Sequence, residues 1–331
     1  MAMTRRERLE ATLAGKALDR PAVSMWQHFY DLEQTTDGLV QAMLDFQKRF
    51  DWDFMKVNPR ACYHVQDWGN RYDFSPAPQA GPLLVDHRIK GPDDWANLPV
   101  LNASEGVLVE HVEAIGMIRQ QLDPDVAMIM TVFTPLSLAD EMAGKNTDMA
   151  DHFGQPKKLH VGLERITETF EHFIDLAFAA GVDGIFFATT LWGTTDKLTT
   201  DQYDRFSRPY DERLMKRITD KGWFNVLHVC KSNNMLLHLA DLRPSLFHWD
   251  ASDPTNLSIG EGLKRLDAPV IGGVDGNRLD AEGPGSWVDE ALATCAQATG
   301  KRRWIVGAGC TVPSSISQDA LAYVRDKVER L

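Results

Sequence analysis

Eight short apolar runs, separated by segments of helical periodicity, constrain this chain more than any other feature. They cover residues 22–25, 53–57, 126–133, 184–188, 223–230, 244–249, 269–274 and 303–307. Each is short, apolar and bounded by turn residues, the pattern of a strand buried on both faces. Between most of them lie helical patterns, at 38–50, 105–121, 136–143, 156–180, 200–221 and 285–298, and another closes the chain at 317–330. The 156–180 segment places Ile166, Phe170, Phe173, Ile174 and Ala177 at spacings of three and four, with Gly181 behind it as a C-cap. Ahead of the first run, Thr4 with Glu7 three residues on is a capping-box signature for a helix over 4–13. Eight βα units in 331 residues predict a single (β/α)8 TIM barrel rather than an open doubly wound sheet.

One segment breaks the alternation. Residues 61–104 are rich in Pro, Gly, Asp and Trp and show little periodicity. An irregular excursion of that length after strand two reads as functional rather than as a linker.

Composition excludes several classes of function. The net charge of −12, without a Lys or Arg block, argues against affinity for nucleic acid. No run approaches the ~20 apolar residues of a membrane span, and the charged start at Thr4-Arg-Arg-Glu-Arg is unlike a signal peptide, so a cytoplasmic protein is expected. Four cysteines are too few for a disulfide framework and are expected as thiols.

In a (β/α)8 barrel the chemistry gathers at the C-terminal ends of the strands. Those ends carry His28, Asn58, Thr134, Thr189, His228 with Cys230, Asp250, Asp275 and Cys310. His228 and Cys230 are two apart, so on a strand they leave from one face. With Cys310 they would form a three-ligand zinc site with an open fourth position, the pattern of a catalytic metal. Gly307 and Gly309 beside it allow close backbone approach. The alternative is a pair of reduced, buried cysteines near a hydrogen-bonded histidine; Cys295, among Ala and Leu, reads as such a core cysteine. A thiol in the open position leads to alkyl transfer, and a water leads to hydrolysis. Asp250 and Asp275 are candidate acid–base groups or helix N-caps. His28 is a weaker catalytic candidate, while Trp26, Asn58, Tyr63 and Thr189 are candidates for substrate contact; Lys56 ranks below them.

Several segments together carry a family resemblance: Arg5-Arg-Glu-Arg-Leu-Glu-Ala-Thr-Leu-Ala-Gly, Asp19-Arg-Pro-Ala-Val, Leu227-His-Val-Cys230, Phe247-His-Trp-Asp250, Gly272-Gly-Val-Asp275 and Gly307-Ala-Gly-Cys-Thr-Val-Pro313. In that order they resemble the uroporphyrinogen decarboxylase superfamily, over nearly the whole chain, and the resemblance implies one barrel domain across 1–331. True decarboxylases of the family carry an arginine-rich N-terminal motif for the substrate carboxylates. The matching place here, Ser24-Met-Trp-Gln-His-Phe-Tyr30, has no arginine. The resemblance is closer to the branch of corrinoid-linked methyltransferases, whose zinc-binding His-x-Cys and later Cys match His228, Cys230 and Cys310. It implies a zinc-dependent methyltransferase of a small molecule; separately, a monomer or homodimer is expected. No Asp-x-His-x-x-Gly motif is present, so any cobalamin would be carried by a separate corrinoid protein. Lys231 departs from the glycine many relatives have after the cysteine. A metal-free lyase that decarboxylates a smaller carboxylate is the alternative, and a binding barrel without chemistry is a third reading.

Overall fold

The computed structural model describes residues 2–75, 80–145 and 147–331. All eight expected strands form: β1 Ala22–Val23, β2 Phe54–Val57, β3 Ala127–Phe133, β4 Gly184–Ala188, β5 Val226–His228, β6 Leu246–His248, β7 Val270–Val274 and β8 Trp304–Ala308. They pair in parallel in the order β1-β8-β7-β6-β5-β4-β3-β2, with helices in the connections. This is a (β/α)8 barrel, nearly closed.

The seam between β1 and β2 is joined by side chains more than by a ladder. Asp53 N–H donates to Val23 O at 3.0 Å and the Ser24 hydroxyl donates to Phe54 O at 2.8 Å. The Asp53 carboxylate accepts from Val23 N–H at 2.7 Å and from Arg8 and Arg20 at 2.6 Å each. One fully buried carboxylate thus joins both seam strands to the helix Arg5–Leu13. That helix starts with the expected capping box at Thr4 and Glu7, and its Leu9 packs into the barrel interior.

Strand parity decides what faces inward. Phe54, Ala127, Ile129, Phe186, Ala188, Val226, Leu246, Ile271 and Ile305 form the inner cluster, while Met55, Val57, Met128, Met130, Leu227 and Phe247 join the larger core beneath the helices. Because side chains alternate along a strand, Lys56 and Asn58 follow Phe54 inward, His228 follows Val226, and His248 follows Leu246. Polar groups at these inward positions lie near the C-terminal mouth.

Three local features depart from expectation. The 200–221 helix is two helices, Thr200–Phe206 and Arg208–Thr219, meeting at Ser207. Pro209 lacks the N–H that an uninterrupted helix needs. The helices Ile259–Arg265 and Gly276–Glu282 are two turns each, too short to show a period in sequence. The 61–104 excursion contains a helical turn Tyr63–Gln66, an antiparallel hairpin of Arg71–Asp73 with Leu83–Asp86, and a 3-10 turn Pro92–Asn97. Among the described residues, no helix is long and apolar enough to cross a membrane.

Candidate metal centre

Strand β5 ends at His228, and the chain continues through Val229 to Cys230 with the side-chain parity intact. Val226 and His228 point into the barrel, and Cys230 stands above them at the mouth. Cys310 comes in from beyond β8. The ligand atoms of His228, Cys230 and Cys310 all lie within 4.8 Å of one another, with Sγ to Sγ 3.9 Å and Cys310 Sγ to His228 Nε2 3.6 Å. Two sulfurs at ~2.3 Å from one tetrahedral zinc sit ~3.8 Å apart, and a sulfur and an imidazole nitrogen ~3.5 Å apart. These two distances are those of such a site before any ion is placed.

The proton arrangement suits it as well. His228 Nδ1 lies 3.3 Å from the carbonyl of His248, which can only accept, so the proton is on Nδ1 and the Nε2 lone pair faces the sulfurs. The hydrogen bond from the Cys230 S–H holds the Cys310 thiol well below its ordinary range, while the same contact and burial push Cys230 up. One thiolate is already favoured where a metal needs two.

The trio forms part of the wall of a cavity of about 540 Å³ at the barrel mouth. His28 and Asn58 also line it. His28 Nδ1 is held 3.0 Å from buried Glu33 and its ring stacks on Tyr30 at 4.9 Å. Trp26, Tyr63, Thr189, Asp250 and Asp275 are not brought to the cavity, each for a local reason. Trp26 is buried below it, edge-on to His248 and Phe186. Tyr63 is buried with its hydroxyl donating to Thr131 O at 2.7 Å. Thr189 N–H donates to the His228 carbonyl at 3.1 Å, so it braces the ligand strand. Asp275 is the N-cap of Gly276–Glu282, accepting from Arg278 N–H at 2.9 Å. Helix N-termini leave orphan N–H groups, and a carboxylate at the N-cap satisfies one. Asp250 accepts from Ser252 N–H at 3.0 Å. A Cβ on Gly309 would fall 2.8 Å from Asp250 Cα, so Gly309 serves a close approach that seats the backbone just before Cys310.

Lys56 gains importance. Its side chain is buried, lines the cavity, and holds its ammonium 4.6 Å from the Phe186 ring centroid with Asn58 Oδ1 as hydrogen-bond partner. Among the described residues no carboxylate pairs with it, and burial pulls it down to about 7. Strand alternation from Phe54 turns it inward. The excursion contributes a wall that local pattern did not reveal. His64 Nε2 lies 2.9 Å from Glu141 and the Tyr72 hydroxyl donates to Glu141 at 2.8 Å. Burial raises Glu141, but His64, then Lys145 and Tyr72, outweigh it and hold it down at about 2. These partners are 77 and 69 residues from Glu141.

Lys231, directly after Cys230, has φ 70°, the left-handed region that favours glycine. The turn that glycine makes easily is therefore formed here by a lysine under backbone strain.

The uroporphyrinogen decarboxylase (URO-D) family model matches residues 4–331. The chain belongs to the uroporphyrinogen decarboxylase family. No curated protein sequence matches it. Among solved structures, a methyltransferase from Methanosarcina mazei is similar over 99% of each chain at 17% identity, with a TM-score of 0.85. A B12-independent methionine synthase from Shewanella sp. W3-18-1 is similar over 93% of this chain and 94% of its own, at 12% identity and a TM-score of 0.57. At these identities the likeness establishes a shared fold, one that a methyltransferase also adopts.

Proposed function

We propose that this protein is a zinc-dependent methyltransferase acting on a small molecule, with a separate corrinoid protein as methyl donor or acceptor. The observation that carries the reading is the His228–Cys230–Cys310 triangle, two of whose sides, Sγ to Sγ and Cys310 Sγ to His228 Nε2, match two sulfurs and a nitrogen around one tetrahedral ion. When bound there, zinc supplies Lewis acidity that lowers the pKa of a thiol in its open position. Two thiolates and a neutral imidazole balance the ion's charge, so an incoming thiolate adds a negative charge. The Lys56 ammonium on the same cavity wall favours that anionic form and so the nucleophile. Phe133 and Phe186 supply apolar wall to the same cavity. The absence of a corrinoid motif supports assigning cobalamin to a partner.

Zinc content of protein purified without chelator is expected to be one per chain and to fall in Cys310→Ser. Methyl transfer from free methylcobalamin to 2-mercaptoethanol, followed by the cobalamin absorbance change, is expected to need that zinc. A metal-free protein whose activity is unchanged in Cys310→Ser would sink the proposal.

The alternative, decarboxylation of a small carboxylate, is favoured by one observation: Lys56, Arg60 and Lys145 all line the cavity. Carbon dioxide release that persists with a chelator present would establish it.

A further inference from the structure

His228 and Cys310 reach the site from strands that are not neighbours, since β6 and β7 stand between β5 and β8. Something must set the distance between them before a metal arrives, because two independent strand ends vary in separation by more than the few tenths of an ångström a zinc site tolerates. One residue touches His228 and the end of the strand that leads to Cys310. His248, fully buried at the end of β6, lies in register beside His228. Its carbonyl accepts from Val229 N–H at 2.9 Å and from His228 Nδ1–H at 3.3 Å, which fixes the backbone after His228 and the tilt of its ring. Its own ring stacks on His228 at 4.5 Å. On the other side, its Nε2–H crosses the barrel interior to the Ala308 carbonyl at 2.8 Å, two residues before Cys310.

We propose that His248 is the positioning residue of this centre, spacing His228 and Cys310 by one main-chain and one side-chain hydrogen bond before any ion binds. The role rests on reading the triangle as a metal site. The carbonyl bond to His228 survives any side-chain change at 248, so what a substitution removes is the Nε2–H tie to Ala308. The β8 end is then free to shift against Gly309, and the Cys310 sulfur moves while His228 stays. Trp26 meets the His248 ring edge-on at 5.1 Å and closes the floor beneath it, so an aromatic replacement keeps the packing. Phenylalanine therefore removes the donor with little change of shape, whereas glutamine restores an N–H at about the reach of Nε2.

Two measurements on the full chain separate this role from the metal reading. The first is metal affinity, read from the visible d–d bands of cobalt(II) in competition with a chelator. His248→Phe is expected to weaken cobalt about 10–100-fold and alter the band pattern, as loss of an outer-shell partner does. His248→Gln is expected to stay within about threefold of wild type on the same principle. The second uses chelator-treated protein and dibromobimane, which becomes fluorescent when it alkylates two neighbouring thiols. Cross-linking of Cys230 to Cys310 is expected to be fast in wild type and His248→Gln and at least about tenfold slower in His248→Phe.

Unchanged cross-linking in His248→Phe overturns the positioning role whether or not the protein binds metal. Equal impairment of the Phe and Gln variants, with native circular dichroism in both, overturns the donor bond as its cause. Wild-type protein that binds no cobalt yet shows the expected cross-linking pattern leaves the positioning role standing and refutes the metal reading instead.

Discussion

Replacing Lys56 with methionine should make the protein more stable at neutral pH while damaging its function. The lysine is buried with no carboxylate partner among the described residues, and burial draws it from 10.5 to about 7. At ~1.36 kcal/mol per pKa unit, the gap corresponds to a cost of about 5 kcal/mol, to order of magnitude, for the charged form. Between about pH 7 and 10.5 the native state holds fewer protons than the unfolded chain. Stability contributed by this site therefore rises with pH across that window, and the cost is fully present below it. Methionine fills similar space without charge but forfeits the contacts to Asn58 and the Phe186 ring, about 1–2 kcal/mol. The net expected gain for Lys56→Met is about 3 kcal/mol at pH 6–7, shrinking toward zero near pH 10. Urea unfolding of wild type and variant from pH 6 to 9.5, in chelator-treated and zinc-loaded protein, measures the difference directly. Titrating groups that do not interact with Lys56 are common to both proteins and cancel. Curves that run parallel, or a variant less stable at pH 7, would refute the reasoning. Methyl transfer should fall at least about tenfold in the same variant, since a single favourable charge interaction near a desolvated centre is worth at least ~1.4 kcal/mol.

Lys231→Gly removes a left-handed lysine and should stabilise the fold by about 0.5–1 kcal/mol, less the unfolded-state entropy of glycine, with zinc content unchanged. A thermal midpoint lower than wild type would contradict the strain. Gly309→Ala puts a methyl group against the backbone of Asp250, so metal affinity should fall while circular dichroism stays native; unaltered cobalt binding would show that the β8 end can move freely. Asp53→Ala leaves two buried guanidinium groups without their shared carboxylate and should cost about 3–5 kcal/mol. A denaturation midpoint within error of wild type would mean that the seam is held by its backbone contacts alone.

How far the sequence reached depended on whether the signal was local. Every barrel strand was legible because a strand buried on both faces must be apolar along its length, and the helices between them carry a 3.6-residue period. Strand parity placed His228 and Cys230 on one side of β5, and the same rule turns Lys56 and Asn58 inward on β2. The two-turn helices and the hairpin Arg71–Asp73 with Leu83–Asp86 were too short to leave a period. Pro209, which splits the 200–221 helix, was a readable signal that the periodicity overrode. Asp250 and Asp275 illustrate the limit of residue type: a carboxylate at a strand end serves catalysis or backbone satisfaction equally well, and only its hydrogen bonds distinguish the two.

The sequence by itself therefore determined the barrel and nominated its three soft ligands, because burial and side-chain alternation act over a few residues. Only the tertiary structure decided that Cys310 stands 3.9 Å from Cys230 across 80 residues of chain. It alone seated His248 against both strand ends, buried Lys56 with no carboxylate paired to it among the described residues, and assembled His64, Tyr72 and Glu141 into one wall. Those distances follow from barrel closure, which sums the register of all eight strands, and no local stretch of sequence carries that sum.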